Sequence, residues 1–156
     1  MVRVEKDFAE LLRLFNKHRV RYCVVGAFAV GFYAIPRYTK DLDVLVEPTE
    51  ENGERICRAL RDFGFGSLKI GPRDFSRKGS FIQLGYEPVR VDLITSIPGV
   101  TFEQVWRNRE RGQYGRTRVF FIGRRELLKN KRVSRRKQDL ADLEILRRVK
   151  SSRVRR

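Results

Sequence analysis

Apolar residues recur along this chain at two periods, and segments of each kind follow one another. Phe8, Leu11, Leu12 and Phe15 fall at i, i+3, i+4 and i+7 with charged positions between them, which predicts an amphipathic helix over residues 4–18. His18, in its last turn, reads as a cap favoured by the helix dipole. "RYCVVG" is a β-branched run that predicts a buried strand, and "AFAVGFYAI" after it predicts a helix stopped by Pro36. "DLDVLV" predicts a second strand, then a helix from Thr49 to about Phe63 with Ile56 and Leu60 inward and Gly64 as its stop. "SFIQLG" and "VRVDLIT" predict two strands around "YEP", "TFEQVWRN" a short helix, "TRVFFIG" a last strand, and residues 124–150 a pair of arginine-rich helices. Strands that alternate with helices early and adjoin each other later point to an α/β (α+β) protein, a mixed sheet covered by helices.

Length adds that 156 residues form one domain large enough to bury a core, expected over residues 1–150, with "SSRVRR" at 151–156 as a basic, frayed tail. Charge changes the picture more. The chain holds 35 Lys and Arg against 19 Asp and Glu, and the excess is uneven: residues 1–100 carry 16 basic and 13 acidic side chains, residues 101–156 carry 19 and 6. A field of this strength attracts an anionic partner such as nucleic acid, although charge alone specifies no sequence. Cys23 and Cys57 offer neither a disulfide framework nor zinc spacing and read as small buried hydrophobes. The charged start "MVRVEKDFAE" and the lack of any long apolar stretch predict no membrane partner and a cytoplasmic protein.

Against that basic background, Asp41 and Asp43 flank Leu42 in an otherwise apolar strand. Residues i and i+2 of a strand share a face, so the two carboxylates project together while Leu42 and Val44 point into the core. Such a pair calls for a proton or a cation, and oxygen ligands of this kind suit Mg²⁺ together with substrate phosphates. Asp92 is the one acid in "VRVDLIT"; beside the pair it would make a three-carboxylate site able to hold two ions and to accept a proton from an attacking hydroxyl. Gly26 ends a strand and opens a helix, where free N–H groups favour an anion and glycine allows close approach of a triphosphate. Each feature taken singly has a plainer reading: a solvated strand end, an edge residue, a tight turn. The set is what points to phosphoryl chemistry.

The spacing Gly26-Ala27, thirteen residues, then Asp41-Leu42-Asp43-Val44 resembles the signature of the nucleotidyltransferase superfamily that includes DNA polymerase β, and "IPRYTKDLDVLV" resembles its small prokaryotic AbiEii/MenT-like members. "VRVDLIT" is similar to the strand bearing that family's third aspartate. "LLKNKRVSRRKQDLADLEIL" resembles its C-terminal pattern of a lysine followed by K-D-x-x-D, which maps onto Lys131, Asp139 and Asp142. The resemblance implies a polymerase β-type fold and a Mg²⁺-dependent transfer of a nucleoside monophosphate from an NTP, with Asp41, Asp43 and Asp92 as catalytic metal ligands. Gly26, Ala27, Lys131, Asp139 and Asp142 would then lie at the nucleotide. The chain departs from the family in one place: Ala27 stands where glycine or serine is usual, keeping the backbone N–H and supplying no hydroxyl.

Read without the family, Asp139 and Asp142 share a helix face, near an apolar stripe made by Leu140, Leu143 and Leu146, and pairing with Arg135 and Arg136 competes with a substrate role. Arg37 and Lys40 precede D-x-D, where cations can meet a triphosphate or simply keep a loop soluble. Arg132, Arg135, Arg136 and Lys137 form the densest basic run and are the expected RNA contacts. The expected activity is transfer to RNA, tRNA in particular, in a toxin–antitoxin setting with a cognate toxin or antitoxin partner. Transfer to a protein hydroxyl, or a silent module that binds nucleotide or RNA, are the alternatives.

Overall fold

The computed structural model describes residues 5–34, 41–66, 69–86 and 89–149. Six strands form one mixed sheet: β1 (Tyr22–Val25), β2 (Asp41–Val46), β3 (Phe81–Tyr86), β4 (Val89–Ile94), β5 (Glu110–Tyr114) and β6 (Thr117–Phe121). Six α-helices surround it: α1 (Lys6–Lys17), α2 (Gly26–Tyr33), α3 (Glu50–Phe63), α4 (Phe102–Arg107), α5 (Arg124–Ser134) and α6 (Lys137–Arg147). The sheet order is β3-β4-β2-β1-β6-β5. β1 pairs antiparallel with β2 and parallel with β6, while β2 pairs parallel with β4.

Local chemistry accounts for most boundaries. Thr49 caps α3 by accepting from the Asn52 N–H at 3.1 Å, and Gly64 ends it at φ 110°, the left-handed conformation that glycine adopts freely. Asn52 is fully buried and binds both backbone groups of Arg21 and the Glu47 carbonyl, locking α3 to the ends of β1 and β2. The four residues of β1 are all buried, as befits a central strand covered on both faces.

Differences from the sequence reading are specific. Strand β5 and a short 3-10 helix at Pro72–Phe75 were not expected. Strand β5 hides its character because Glu110, Arg111 and Gln113 are polar and its inward positions are Gly112 and Tyr114. A Cβ on Gly112 would come within 2.6 Å of the Phe32 ring, so glycine is what lets α2 lie against this strand. Leu140, expected on the apolar stripe of α6, is 44 % exposed; Leu143 and Leu146 alone face the core. Cys23 is buried as expected, whereas Cys57 is only half-buried, and both thiols are free. Among the described residues no helix is long and apolar enough to cross a membrane. The tail at 151–156 lies outside the described residues.

Candidate active site

The carboxylates meet because two parallel strands start level with each other. In the β2–β4 register Asp41 stands opposite Arg90 and Asp43 opposite Asp92, so these four side chains share one face while Leu42, Val44, Val91 and Leu93 are buried. Leu45, further along the carboxylate face, is also fully buried, which places the acids at the rim where helical cover ends. β1 brings in the glycine: Val25 is the register partner of Asp43, and Gly26 follows it at φ 68° as the first residue of α2. A Cβ at Gly26 would collide with Asp43 Oδ2, so the bare backbone is what allows the strand-to-helix turn to abut this carboxylate.

Asp43 carries the electrostatic cost of the arrangement. Burial, then the charges of Asp92 and Asp41 and a hydrogen bond with Asp92, push its carboxyl up to about 6, against a smaller opposing pull from Lys131. Asp92 is buried and held by a fork from Arg90, Nε to Oδ1 at 2.9 Å and an Nη to Oδ2 at 3.2 Å. Sequence reasoning missed Arg90. The signal was available, since Arg90 and Asp92 are i and i+2 in one strand and therefore share a face.

The C-terminal helices close the same region. Lys131 is buried and its Nζ lies 3.1 Å from both Asp139 Oδ1 and Asp142 Oδ2. Arg136 Nε adds a 3.0 Å contact to Asp139 Oδ2, and Gln138 donates to Asp142 at 3.0 Å. Burial works to raise the Asp139 carboxyl, but hydrogen bonds from Arg136, Ser134 and Lys131 outweigh it and hold it well below the usual range. Lys131, Asp139 and Asp142, three of the residues expected at the nucleotide, thus form an ionic cluster joining α5 to α6, and Lys131 acts on Asp43 through its charge. Where the sequence suggests Arg135 and Arg136 as partners of these acids, the structure keeps Arg136 and replaces Arg135 with Lys131. Arg132, Arg135, Arg136 and Lys137 are exposed at the α5–α6 junction. Arg37 and Lys40 lie outside the described residues.

By sequence, no protein-family profile and no curated protein matches the chain. Solved structures do match by shape. The lincosamide antibiotic adenylyltransferase LnuA, in its lincomycin-bound form, superposes with a TM-score of 0.57 at 14% identity, covering 94% of this chain and 98% of its own. TM1012 of Thermotoga maritima, assigned as a nucleotidyltransferase, superposes with the same TM-score at 14% identity, covering 90% and 88%. The fold is the polymerase β-type nucleotidyltransferase fold. Within this nucleotidyltransferase fold the carboxylate face is built from β2 and β4, with the Gly26 turn beside it.

Whether Mg²⁺ suits these residues is a question of donor chemistry. Three carboxylates on one face, one with a raised affinity for protons, are hard oxygen donors. Among the described residues no group of three His, Cys, Asp or Glu side chains is spaced as a ready cation cage, and Arg90 supplies the counter-charge at Asp92. Carboxylate oxygens are the ligand type a divalent cation takes, and with Asp92 turned toward Arg90 the residues that would hold one are Asp41 and Asp43.

Proposed function

We propose that the chain transfers a nucleoside monophosphate from an NTP to a hydroxyl of RNA, tRNA foremost, in the manner of AbiEii/MenT-like toxin–antitoxin enzymes. The observation that carries this reading is the juxtaposition of Asp43 and Asp92 as register partners beside the Gly26 turn. The α2 N-terminus offers backbone N–H groups to the triphosphate, with Ala27 contributing its N–H alone. Asp41 and Asp43, joined by Asp92 on its release from the Arg90 fork, would hold Mg²⁺, one or two ions, which when bound would neutralise phosphate charge and activate the acceptor hydroxyl. The acceptor oxygen attacks the α-phosphorus, pyrophosphate leaves, and the carboxylate cluster takes up the hydroxyl proton. Lys131, held between Asp139 and Asp142, keeps positive charge near Asp43.

The exposed cations at the α5–α6 junction favour RNA over a protein acceptor, since they offer phosphate contacts without base-specific pockets. The test is a reaction of each labelled NTP with Mg²⁺ and bulk RNA. Label in RNA that disappears in Asp43→Asn supports the reading. Label in protein or in an added small-molecule alcohol redirects it to that acceptor, and no label with intact NTP binding points to a silent module.

A further inference from the structure

A second concave site lies on the carboxylate side of the sheet, at the other end of β1. It is a cavity of about 550 Å³ lined by six arginines, Arg19, Arg21, Arg55, Arg109, Arg111 and Arg118, and by no carboxylate. That volume lies in the range of pockets for small ligands, and so much like charge in one concavity is costly unless an anion offsets it. Two of the six have acidic neighbours: Arg21 lies 3.4 Å from Glu47, and Arg55 lies 3.9 Å from Glu51. Arg19, Arg111 and Arg118 make no ion pair among the described residues. Arg111 stands opposite Phe120 and Arg118 opposite Gln113 in the β5–β6 register, so both arginines project from one face of the hairpin.

Arg109 is pre-positioned. Its guanidinium lies 3.7 Å from the centroid of the Trp106 ring and 4.7 Å from that of Phe120, and it donates to the Trp106 carbonyl at 2.6 Å. Burial, together with the charges of Arg111 and Arg21, makes its proton easier to lose than an ordinary arginine's. Its Nε is buried with no hydrogen-bond partner among the described residues. Arg19 is a further sign. It occupies the left-handed position after α1 at φ 57°, in a Schellman turn closed by Arg19 N–H to Asn16 O and Val20 N–H to Phe15 O, where glycine would be relaxed. The fold accepts that strain and sets an arginine at the cavity.

The cavity is not an extension of the carboxylate cleft. Alternation along β1 places Arg21 and Cys23 on the face of Val25, the partner of Asp43, about 13 Å away at the strand's rise. Cys23 and Val25, on that same face, are 0% and 3% exposed, so protein covers the sheet between the cavity and the acids. A half-open concavity with six guanidiniums and no carboxylate in its lining suits a compact ligand with several phosphates in a row. We propose that this cavity binds a linear oligophosphate, free or as the tail of a nucleotide, at a site separate from the carboxylate cluster. The inference stands whether or not transfer occurs at Asp41 and Asp43.

Trp106 lines the cavity and is the chain's single tryptophan, so its fluorescence reports on this site. The experiment titrates the full-length protein in EDTA, at constant ionic strength, with inorganic tripolyphosphate, with ATP and with a short oligoribonucleotide. The expected result is a saturable change with tripolyphosphate that is unaltered in Asp43→Asn and weakened about tenfold or more in Arg111→Gln/Arg118→Gln. Arg19→Gly, which relaxes a strained turn, should weaken binding while leaving the melting temperature equal or higher. ATP binding no tighter than tripolyphosphate assigns the free oligophosphate; tighter ATP assigns the nucleotide tail. A response reproduced by KCl, abolished by Asp43→Asn, or obtained at lower phosphate concentration with the oligoribonucleotide would overturn the proposal.

Discussion

Removing the charge of Asp43 tests the electrostatic account of the carboxylate face with a sign that few substitutions of a buried polar group would give. The carboxyl moves from an ordinary 3.8 to about 6 in the folded protein, through burial first and then the charges of Asp92 and Asp41. A raised folded-state value means that the folded chain holds the proton better than the unfolded chain. Stability associated with this group is therefore fullest below about pH 4 and is lost as pH rises through about 6. One pKa unit corresponds to about 1.4 kcal/mol, so the full cost above that window is at most about 3 kcal/mol, and about 2 kcal/mol once residual solvent contact is allowed for. An asparagine side chain at this position is neutral at any pH. In EDTA, Asp43→Asn should melt about 4–8 °C above wild type near pH 7.5, and the two should coincide near pH 4. Thermal melts followed by far-UV circular dichroism across that range provide the check, and Mg²⁺ with NTP should stabilise wild type and not the variant. A variant that melts below wild type near pH 7.5 in EDTA would refute the reasoning, because it would make Asp43 a structural ligand rather than a strained one.

The neighbouring residues should behave differently. Asp92→Asn takes the charged partner from the Arg90 fork and should destabilise the metal-free protein by about 1 kcal/mol, read from urea unfolding. Lys131→Met leaves Asp139 and Asp142 buried without their shared cation and should cost about 3–5 kcal/mol, seen as a lower urea midpoint. Arg132, Arg135 and Lys137 changed together to Gln should flatten the log–log salt dependence of RNA binding by about 2 in filter-binding assays, while NTP binding persists. Arg136 is left out of that set because it holds Asp139.

Much of the site could be read from the chain because its elements are local patterns. Asp41 and Asp43 are two residues apart in one strand, and Gly26 sits where an apolar strand run meets a helix run. The register that sets Asp43 beside Asp92 is a long-range pairing that no spacing encodes; the residues alone offered Asp92 as an acid that could join the pair, and the resemblance to known motifs implied that it does. Arg90 escaped notice because a cation in a basic chain reads as solubility until its partner is located. Lys131 was singled out only through the resemblance, because its burial depends on α6 packing against α5 rather than on anything in its own segment. Strand β5 was hidden for another reason: glycine at the close approach to Phe32 removes the β-branched signal that strands usually carry.

The parallel β2–β4 pairing also has a consequence for how the chain reaches its native state. β3 and β4 are sequence neighbours and form an antiparallel pair whose contacts are local, so that unit can assemble early and without opposing charges. Seating it against β2 is the step that closes a long loop and presses Asp92 toward Asp43. Loop-closure entropy and like-charge repulsion therefore fall on one docking event. On a nascent chain that event must wait for β4, and the central strand β1 gains its second neighbour later still, when residues 117–121 have been made. The carboxylate cluster thus depends on the one pairing, β2 with β4, that joins two units each held by antiparallel contacts of its own.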